Sequence, residues 1–334
     1  MRETMPFISS IVQGRISPVK ATNNRTLYQP SEVLGDSISG DRYDKGLFLT
    51  VKRIQNRENQ MAGSLSAKEI ETFKELGYLY PKCAIDGEQA ETFRMLLDHY
   101  ETVLGVEPQT YLKIKAHVAA PWIIELARNE AILNAVESLI GADILLFGAS
   151  LFSKKGNDPR FVSWHQDSAY YGLDPHDEVT AWVALTPANR DNGCMRVIPG
   201  SHLGPDLVHD ETYDPQNLLA RGQTIRGLDE DGAEFMELEA GEFSLHHERT
   251  AHGSLANETD LPRVGIAFFY IPAHCTSTIG RRSALPMRGQ DRHGHWDQDP
   301  IPQKDLDPTC MAFLEDMWTR YQDAVVAQEA KRMG

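Results

Sequence analysis

Basic residues are scarce in this 334-residue chain: 33 lysines and arginines stand against 48 aspartates and glutamates, a formal net charge of −15. A non-specific grip on nucleic acid needs a basic face that releases counterions. DNA, RNA and anionic lipid are therefore poor candidate partners. Long apolar runs are missing too. The longest, Ile144 to Phe152, is broken by Gly148 and Ser150 and falls well short of the roughly 18 residues that cross a bilayer, so no membrane role is expected. Cysteine is sparse and dispersed, with Cys83, Cys194, Cys275 and Cys310 and no CxxC pair. That excludes a disulfide framework and a zinc clip and reads as thiols in a reducing compartment. The N-terminus lacks the continuous apolar core and small-residue cleavage site of a secretory signal, so a cytoplasmic location is expected. No internal repeat or low-complexity stretch is present. With 41% hydrophobic and 24% charged residues, what remains is an ordinary globular chain with ample core.

Its two parts differ in character. Residues 1–61 carry 9 basic and 6 acidic side chains, together with Pro6, Pro18, Pro30 and little periodicity, whereas residues 62–334 carry 24 basic and 42 acidic. The first segment reads as an irregular N-terminal arm and the second as the globular domain. That domain opens on a helix N-cap at Ser64 or Ser66 followed by acidic residues. Ile70, Phe73 and Leu76 repeat at helical spacing, as do Ala90, Phe93, Leu96, Leu97 and Tyr100. A third apolar stripe runs from Trp122 to Ile140 and closes at Gly141. Thereafter short β-rich runs bounded by Gly, Pro, Asn and Asp take over, at 144–153, 161–166, 179–186, 194–198, 234–239, 242–247 and 264–271. A C-terminal amphipathic helix is expected over 311–330. Helices followed by many short strands predict a mainly β fold, a jelly roll or barrel with a helical buttress.

The chemistry-bearing residues sit in those strands. In Phe161-Val-Ser-Trp-His-Gln-Asp, strand geometry points His165 and Asp167 to one face, about 6.5 Å apart along the strand. Both could bind one ion, or simply form a polar pair on a surface strand. Further along, the stretch Ser244-Leu-His-His-Glu-Arg-Thr-Ala-His-Gly-Ser offers His246, His247 and, eighty-seven residues after His165, His252 as a third ligand. Two imidazoles and a carboxylate on one face leave open coordination positions, as in non-haem iron(II) oxygenases. His247 shares parity with Phe243 and Leu245 and reads as a core imidazole; His246 could instead support the ligating carboxylate. After His252, Asn257-Glu-Thr-Asp-Leu-Pro reads as a tight turn, placing Arg263 at the start of a returning strand beside the metal strand. A fixed guanidinium there suits a dicarboxylate co-substrate; its plainer alternative is a salt bridge on a sheet edge. His117 reads as a loop residue, solvated or facing the substrate entrance, and Tyr170 and Tyr171 either cover the substrate or form a surface pair. His202, in Pro-Gly-Ser-His, reads as part of a structural turn. His293, His295 and Trp296 read as a possible lid on which no activity is staked.

Four segments in order resemble the phytanoyl-CoA dioxygenase family of iron(II)- and 2-oxoglutarate-dependent oxygenases: Trp164-His-Gln-Asp167, Thr180-Ala-Trp-Val-Ala-Leu185, Asp191-Asn-Gly-Cys-Met-Arg-Val-Ile-Pro-Gly-Ser-His202, and His252-Gly-Ser-x-x-Asn257 with Arg263. The resemblance spans about residues 64 to 303. It implies a double-stranded β-helix of the jelly-roll, cupin-like type. It implies that His165, Asp167 and His252 hold Fe(2+), and that Arg263 and Ser254 bind the distal carboxylate of 2-oxoglutarate beside Trp182. It further implies O2-dependent oxidation, typically hydroxylation, of an unactivated C–H bond in a small metabolite, with release of succinate and carbon dioxide. Halogenating relatives carry a small residue where Asp167 stands, so halogenation is disfavoured. A non-oxidative metal-binding cupin, acting as sensor, hydrolase or isomerase, is the alternative. A monomer or homodimer is expected.

Overall fold

A computed structural model describes residues 64–219 and 221–333, with side chains described to residue 320; the predicted arm over 1–61 lies outside them. Helix α1 (Ala67–Leu76) starts where Ser66 caps it, its side chain accepting from the Glu69 amide while the Glu69 carboxylate reaches back to the Ser66 amide. It ends at Gly77, held at φ 84°, a conformation that costs other residues a Cβ clash. Strand β1 (Tyr78–Cys83) and helix α2 (Gly87–Leu104) follow. The apolar stripe expected as one helix from Trp122 to Ile140 is two, α3 (Pro121–Ala127) and α4 (Glu130–Ile140). The Asn129 side chain accepts from the Ala131 amide at 2.9 Å and thereby caps a new helix. Asparagine competes for backbone donors in this way.

The strands are β2 (Ile144–Lys154), β3 (Val162–His165), β4 (Leu173–Asp174) after the one-turn helix α5 (Ser168–Tyr171), β5 (Val179–Ala184), β6 (Met195–Val197), β7 (His209–Glu211), β8 (Gln223–Ile225), β9 (Glu234–Met236), β10 (Glu242–His247), β11 (His252–Ser254), β12 (Arg263–Pro272), β13 (Thr276–Ser277), β14 (Ser283–Arg288) and β15 (Asp297–Gln298), before helix α6 (Pro308–Met333). A seven-stranded sheet runs in the order β1-β10-β5-β12-β2-β14-β15, and a four-stranded sheet in the order β3-β11-β6-β9. Apart from the parallel β14–β15 pair, the pairings of these two sheets are antiparallel. This is the expected jelly roll with its helical buttress.

Strand parity sorts two cores. From β5, β10 and β12, Val183, Phe243, Leu245, Ile266 and Phe268 pack outward against helical residues such as Phe93, Trp122 and Ile132. The alternate residues, including Trp182, Ala267 and Phe269, face inward to a second cluster between the sheets. Every residue of β12 is buried, because it is paired on both edges by β5 and β2 and covered on both faces. That burial explains why its sequence is an almost continuous apolar run. Among the described residues no helix is long and apolar enough to cross a membrane.

Candidate active site

His165 ends β3, the chain turns through buried Gln166, and Asp167 already has helical backbone angles, φ −63° and ψ −36°, at the mouth of α5. Strand alternation is therefore not what joins His165 to Asp167. The strand-to-helix turn folds the carboxylate back, so that Asp167 Oδ1 lies 3.5 Å from His165 Nε2. His252, the first residue of β11, is directly opposite His165 in the sheet register, and their ring centroids are 4.1 Å apart. Its Nε2 is 4.0 Å from Asp167 Oδ2. Donor atoms of His165, Asp167 and His252 all fall within 4.8 Å of one another, and all three residues are buried.

Backbone carbonyls fix the imidazoles. His165 Nδ1 meets the Ser163 carbonyl and His252 Nδ1 the Thr250 carbonyl, each at 2.9 Å. A carbonyl only accepts, so each Nδ1 donates, and each Nε2 is the ring atom turned to the centre as the possible ligand. Burial, then the neighbouring His165 and His246, hold His252 well below the usual imidazole range. Burial opposes ionisation of Asp167, yet the surrounding imidazoles of His165, His246 and His252 more than offset it and hold its carboxyl low. Neutral imidazoles and an ionised carboxylate are the protonation states a divalent metal requires, so this donor set fits iron(II).

His246 and His247 separate as alternation on β10 demands. His246 enters the same cavity with its Nε2 3.8 Å from Asp167 Oδ2, and among the described residues neither of its ring nitrogens has a hydrogen-bond partner. It lies outside the converging trio. His247 turns the other way, accepting at Nδ1 from the Arg249 amide at 3.1 Å; burial, then His202 and Arg249, push it down to about 4. Two carboxyls passed over in the sequence, Glu178 and Glu248, are fully buried. Burial, followed by the charges of Asp167 and Glu248, raises Glu178 well above its ordinary value. Burial and nearby acids push Glu248 up to about 8. No periodicity in the sequence marked either one.

A second cluster lies at the other end of the inner face. Arg263 does begin a strand, but β12 pairs with β2 and β5 in the seven-stranded sheet, not with β11 as the turn reading suggested. Arg263 reaches Ser254 across the space between the sheets, with its Nη2 3.5 Å from Ser254 Oγ. Its guanidinium lies 5.5 Å from the Trp182 ring centroid. Gly265 makes room for that indole: a Cβ there would stand 2.1 Å from Trp182 Cζ2. In register with Arg263 is Lys154, which the sequence reading missed because it closes an apolar run and looks like a strand-end solubiliser. Its Nζ donates to Ser254 Oγ at 2.7 Å and to the Leu255 carbonyl. Lys154 is 0% and Arg263 3% exposed. Burial, then the Arg263 charge, pushes Lys154 down to about 6, and burial lowers Arg263 to about 10. Among the described residues neither has a carboxylate within ion-pairing distance.

Both clusters open on one cavity of about 470 Å³, whose wall includes His165, Asp167, His252, Ser254, Arg263 and Trp182. Tyr170 and Tyr171 also line it. His117 does not: it is fully buried, its Nε2 2.9 Å from Asp299 Oδ2 beside Lys115. It is neither the solvated loop residue nor the entrance residue that its sequence context suggested, because a buried acid far along the chain recruits it. His202 sits in a 3-10 turn with its Nε2 on the Lys74 carbonyl at 3.0 Å. Trp296 packs inside the second core with its indole donating to the Cys275 carbonyl, while His293 and His295 are exposed.

Residues 73–265 match the sequence profile of phytanoyl-CoA dioxygenase (PhyH). The chain belongs to the phytanoyl-CoA dioxygenase family. Within that family's reach it is 30% identical over 167 residues to a probable alpha-ketoglutarate-dependent hypophosphite dioxygenase of Stutzerimonas stutzeri, covering 49% of this chain and 58% of that protein. It is 27% identical over 233 residues to the ectoine dioxygenase of Halomonas elongata, covering 62% of this chain and 70% of that one. Among solved structures, the apo non-heme monooxygenase ThoJ is similar at 32% identity and a TM-score of 0.68, over 78% of this chain and 99% of ThoJ. The chain thus spans little more than half the length of the hypophosphite dioxygenase, and likewise 44% of the peroxisomal phytanoyl-CoA dioxygenase of Bos taurus and 53% of a probable phytanoyl-CoA dioxygenase of Caenorhabditis elegans.

Proposed function

We propose that this protein is an iron(II)- and 2-oxoglutarate-dependent dioxygenase that oxidises a C–H bond of a small metabolite. The observation that carries the reading is that one cavity wall holds both a two-histidine, one-carboxylate donor set and the buried Arg263 with Ser254, the latter backed by Lys154, with no carboxylate among the described residues within ion-pairing distance of either basic side chain. A lone buried charge is costly, and Arg263 beside a lysine whose own charge burial suppresses calls for an anion that meets the guanidinium and restores the lysine's proton. A five-carbon diacid answers both ends: its keto-acid end suits the metal site, and its distal carboxylate suits Arg263, Lys154 and Ser254.

When bound, iron(II) supplies the redox chemistry that couples loss of carbon dioxide from 2-oxoglutarate to C–H oxidation. In the overall balance one atom of O2 enters succinate and the other enters the hydroxylated product. The side chains contribute position. His165 and His252 present fixed lone pairs, Asp167 presents its charge on the third side, and three protein donors leave the remaining positions for co-substrate and oxygen. Arg263 and Lys154 orient the diacid, and the inner walls restrict water. The carboxylate of Asp167 occupies the place that a halogenating enzyme would keep vacant, which favours oxygen insertion. A non-oxidative cupin has no use for the Arg263–Lys154 pair. A cytoplasmic location is part of this reading, supported by four cysteines of which none is in a disulfide, and a monomer or homodimer is retained with it.

Succinate formation dependent on iron(II), O2 and 2-oxoglutarate is the test. Asp167→Ala is expected to abolish it while circular dichroism shows the fold retained; full turnover by that variant would contradict the ligand assignment.

A further inference from the structure

The cavity wall has the opposite charge to the chain. Besides Arg263 it carries Lys113, Arg221, Arg281, Arg282 and Arg320, against Asp297 and the proposed ligand Asp167, in a protein whose net charge is −15. A cleft with low-dielectric walls focuses such a field on its contents. The outer two arginines are tied at the rim, Arg281 to Asp297 at 2.7 Å and Arg320 to Asp316 at 2.8 Å, and their side chains are 59% and 72% exposed.

Arg221 and Arg282 are placed differently, because both bear on α5, the turn that begins at Asp167. The Arg221 guanidinium lies 5.3 Å from the Tyr170 ring centroid. Arg282 donates from Nη1 to the Tyr171 carbonyl at 2.7 Å and lies 4.3 Å over the Phe147 ring. Arg221 is only 7% exposed; it ion-pairs with Glu211 through Nη2, while its Nε has no hydrogen-bond partner among the described residues. An arginine held inside the wall with an unused donor has capacity for one more acceptor. Around Arg282 the wall is apolar, with the Tyr171 ring in contact with Phe147 at 5.5 Å and with Phe269 at 5.4 Å.

We propose that the substrate is a small anion with an apolar body. Its carboxylate, phosphate or sulfate group is held by Arg221 and Arg282, and its aliphatic or aromatic part lies on Phe147, Tyr171 and Phe269. The C–H bond oxidised is on that part, since α5 hangs directly from Asp167; this last point rests on the oxygenase reading, whereas the anion site does not. The acidic exterior, which argues against polyanions in general, is thus a poor guide to what the interior selects.

The test is calorimetric titration of the full chain, metal-free and loaded with manganese(II) and 2-oxoglutarate, with probes matched in shape and differing in charge: 3-phenylpropanoate, 3-phenylpropyl phosphate, 3-phenylpropyl sulfate, the neutral 3-phenylpropanamide and the cationic 3-phenylpropylamine. At least one anionic probe is expected to bind about tenfold or more tightly than the amide and the amine, as a charge-assisted contact predicts, and the best of the three identifies the group. Arg221→Gln and Arg282→Gln should each remove most of that preference, with the 2-oxoglutarate affinity unchanged; Arg282→Gln keeps the test intact should loss of the Glu211 pair unfold the other variant. Equal binding of acid and amide, a preference untouched in both variants, or no binding of any anionic probe would overturn the proposal. Preference for the anion in a protein that fails to bind 2-oxoglutarate would support this site and sink the oxygenase reading.

Discussion

Lys115 and Lys154 are both buried lysines on the inner structure of the jelly roll, and they are balanced in opposite ways. Lys115 donates to the Phe147 and Ser283 carbonyls at 2.7 Å and to Asp299 Oδ2 at 2.9 Å, where His117 also converges. Its charge is met inside the protein, and it ties the segment before α3 to the chain just beyond β15. Lys154 has oxygens of Ser254 and Leu255 but, among the described residues, no acid within ion-pairing distance, and its neighbour is the cation Arg263. The same residue type in the same degree of burial is a structural tie in one place and half of a ligand site in the other. The difference is whether the counter-charge is covalently part of the chain.

That comparison can be broken first where the largest effect is expected. Asp299→Ala strands Lys115 without its acid, and leaving a buried charge unpaired costs on the order of 3–5 kcal/mol. Denaturant unfolding should show a loss of that size, and an unchanged midpoint would mean that the cluster is not a tie. Arg263→Ala should behave oppositely in the ligand-free protein, with little loss of stability, since it removes a buried charge that no carboxylate among the described residues ion-pairs. Its cost falls on 2-oxoglutarate, whose affinity should drop by about 1.5–3 kcal/mol in calorimetric titration. Parity with wild type there would place the diacid elsewhere. At the other end of the cavity, His246→Ala removes the imidazole beside Asp167 Oδ2. Outer partners of metal ligands are typically worth 10–100-fold in metal affinity, so manganese(II) binding should weaken within about that range, and unaltered binding would make His246 a bystander.

The smallest signal is a proton. Lys154 is depressed to about 6 from 10.5, so between those values the unfolded chain carries a proton that the ligand-free fold does not. Stability of the ligand-free protein from this group therefore rises with pH through that window. A dicarboxylate arriving beside Lys154 restores its charge. Titration of 2-oxoglutarate near pH 8 in buffers of different ionisation heat should register proton uptake, and none would mean that Lys154 is already charged or stands outside the anion site.

Legibility in the sequence followed local physics. The alternation in β10 announced that His246 and His247 would part company, and the apolar run over 264–271 announced a strand. Four ordered segments carried the family and its jelly roll. What stayed hidden depended on contacts between distant strands. Lys154 gains meaning only from its register with Arg263 over a hundred residues later, and His117 only from Asp299. The closeness of His165 and Asp167 was foreseen for the wrong reason, because nothing local showed that the strand would stop at His165 and fold Asp167 back through a helical turn. Likewise the basic lining of the cavity is collected from five separate segments of an acidic chain, so no composition window reports it.

The most direct test is a crystal structure of the full chain grown with manganese(II) and 2-oxoglutarate. The account predicts one ion bound by His165 Nε2, His252 Nε2 and an Asp167 oxygen, chelated by the keto-acid end of a diacid whose far carboxylate lies against Arg263, Lys154 and Ser254. A diacid bound with its far carboxylate away from that pair, or an ion held by other residues, would contradict it.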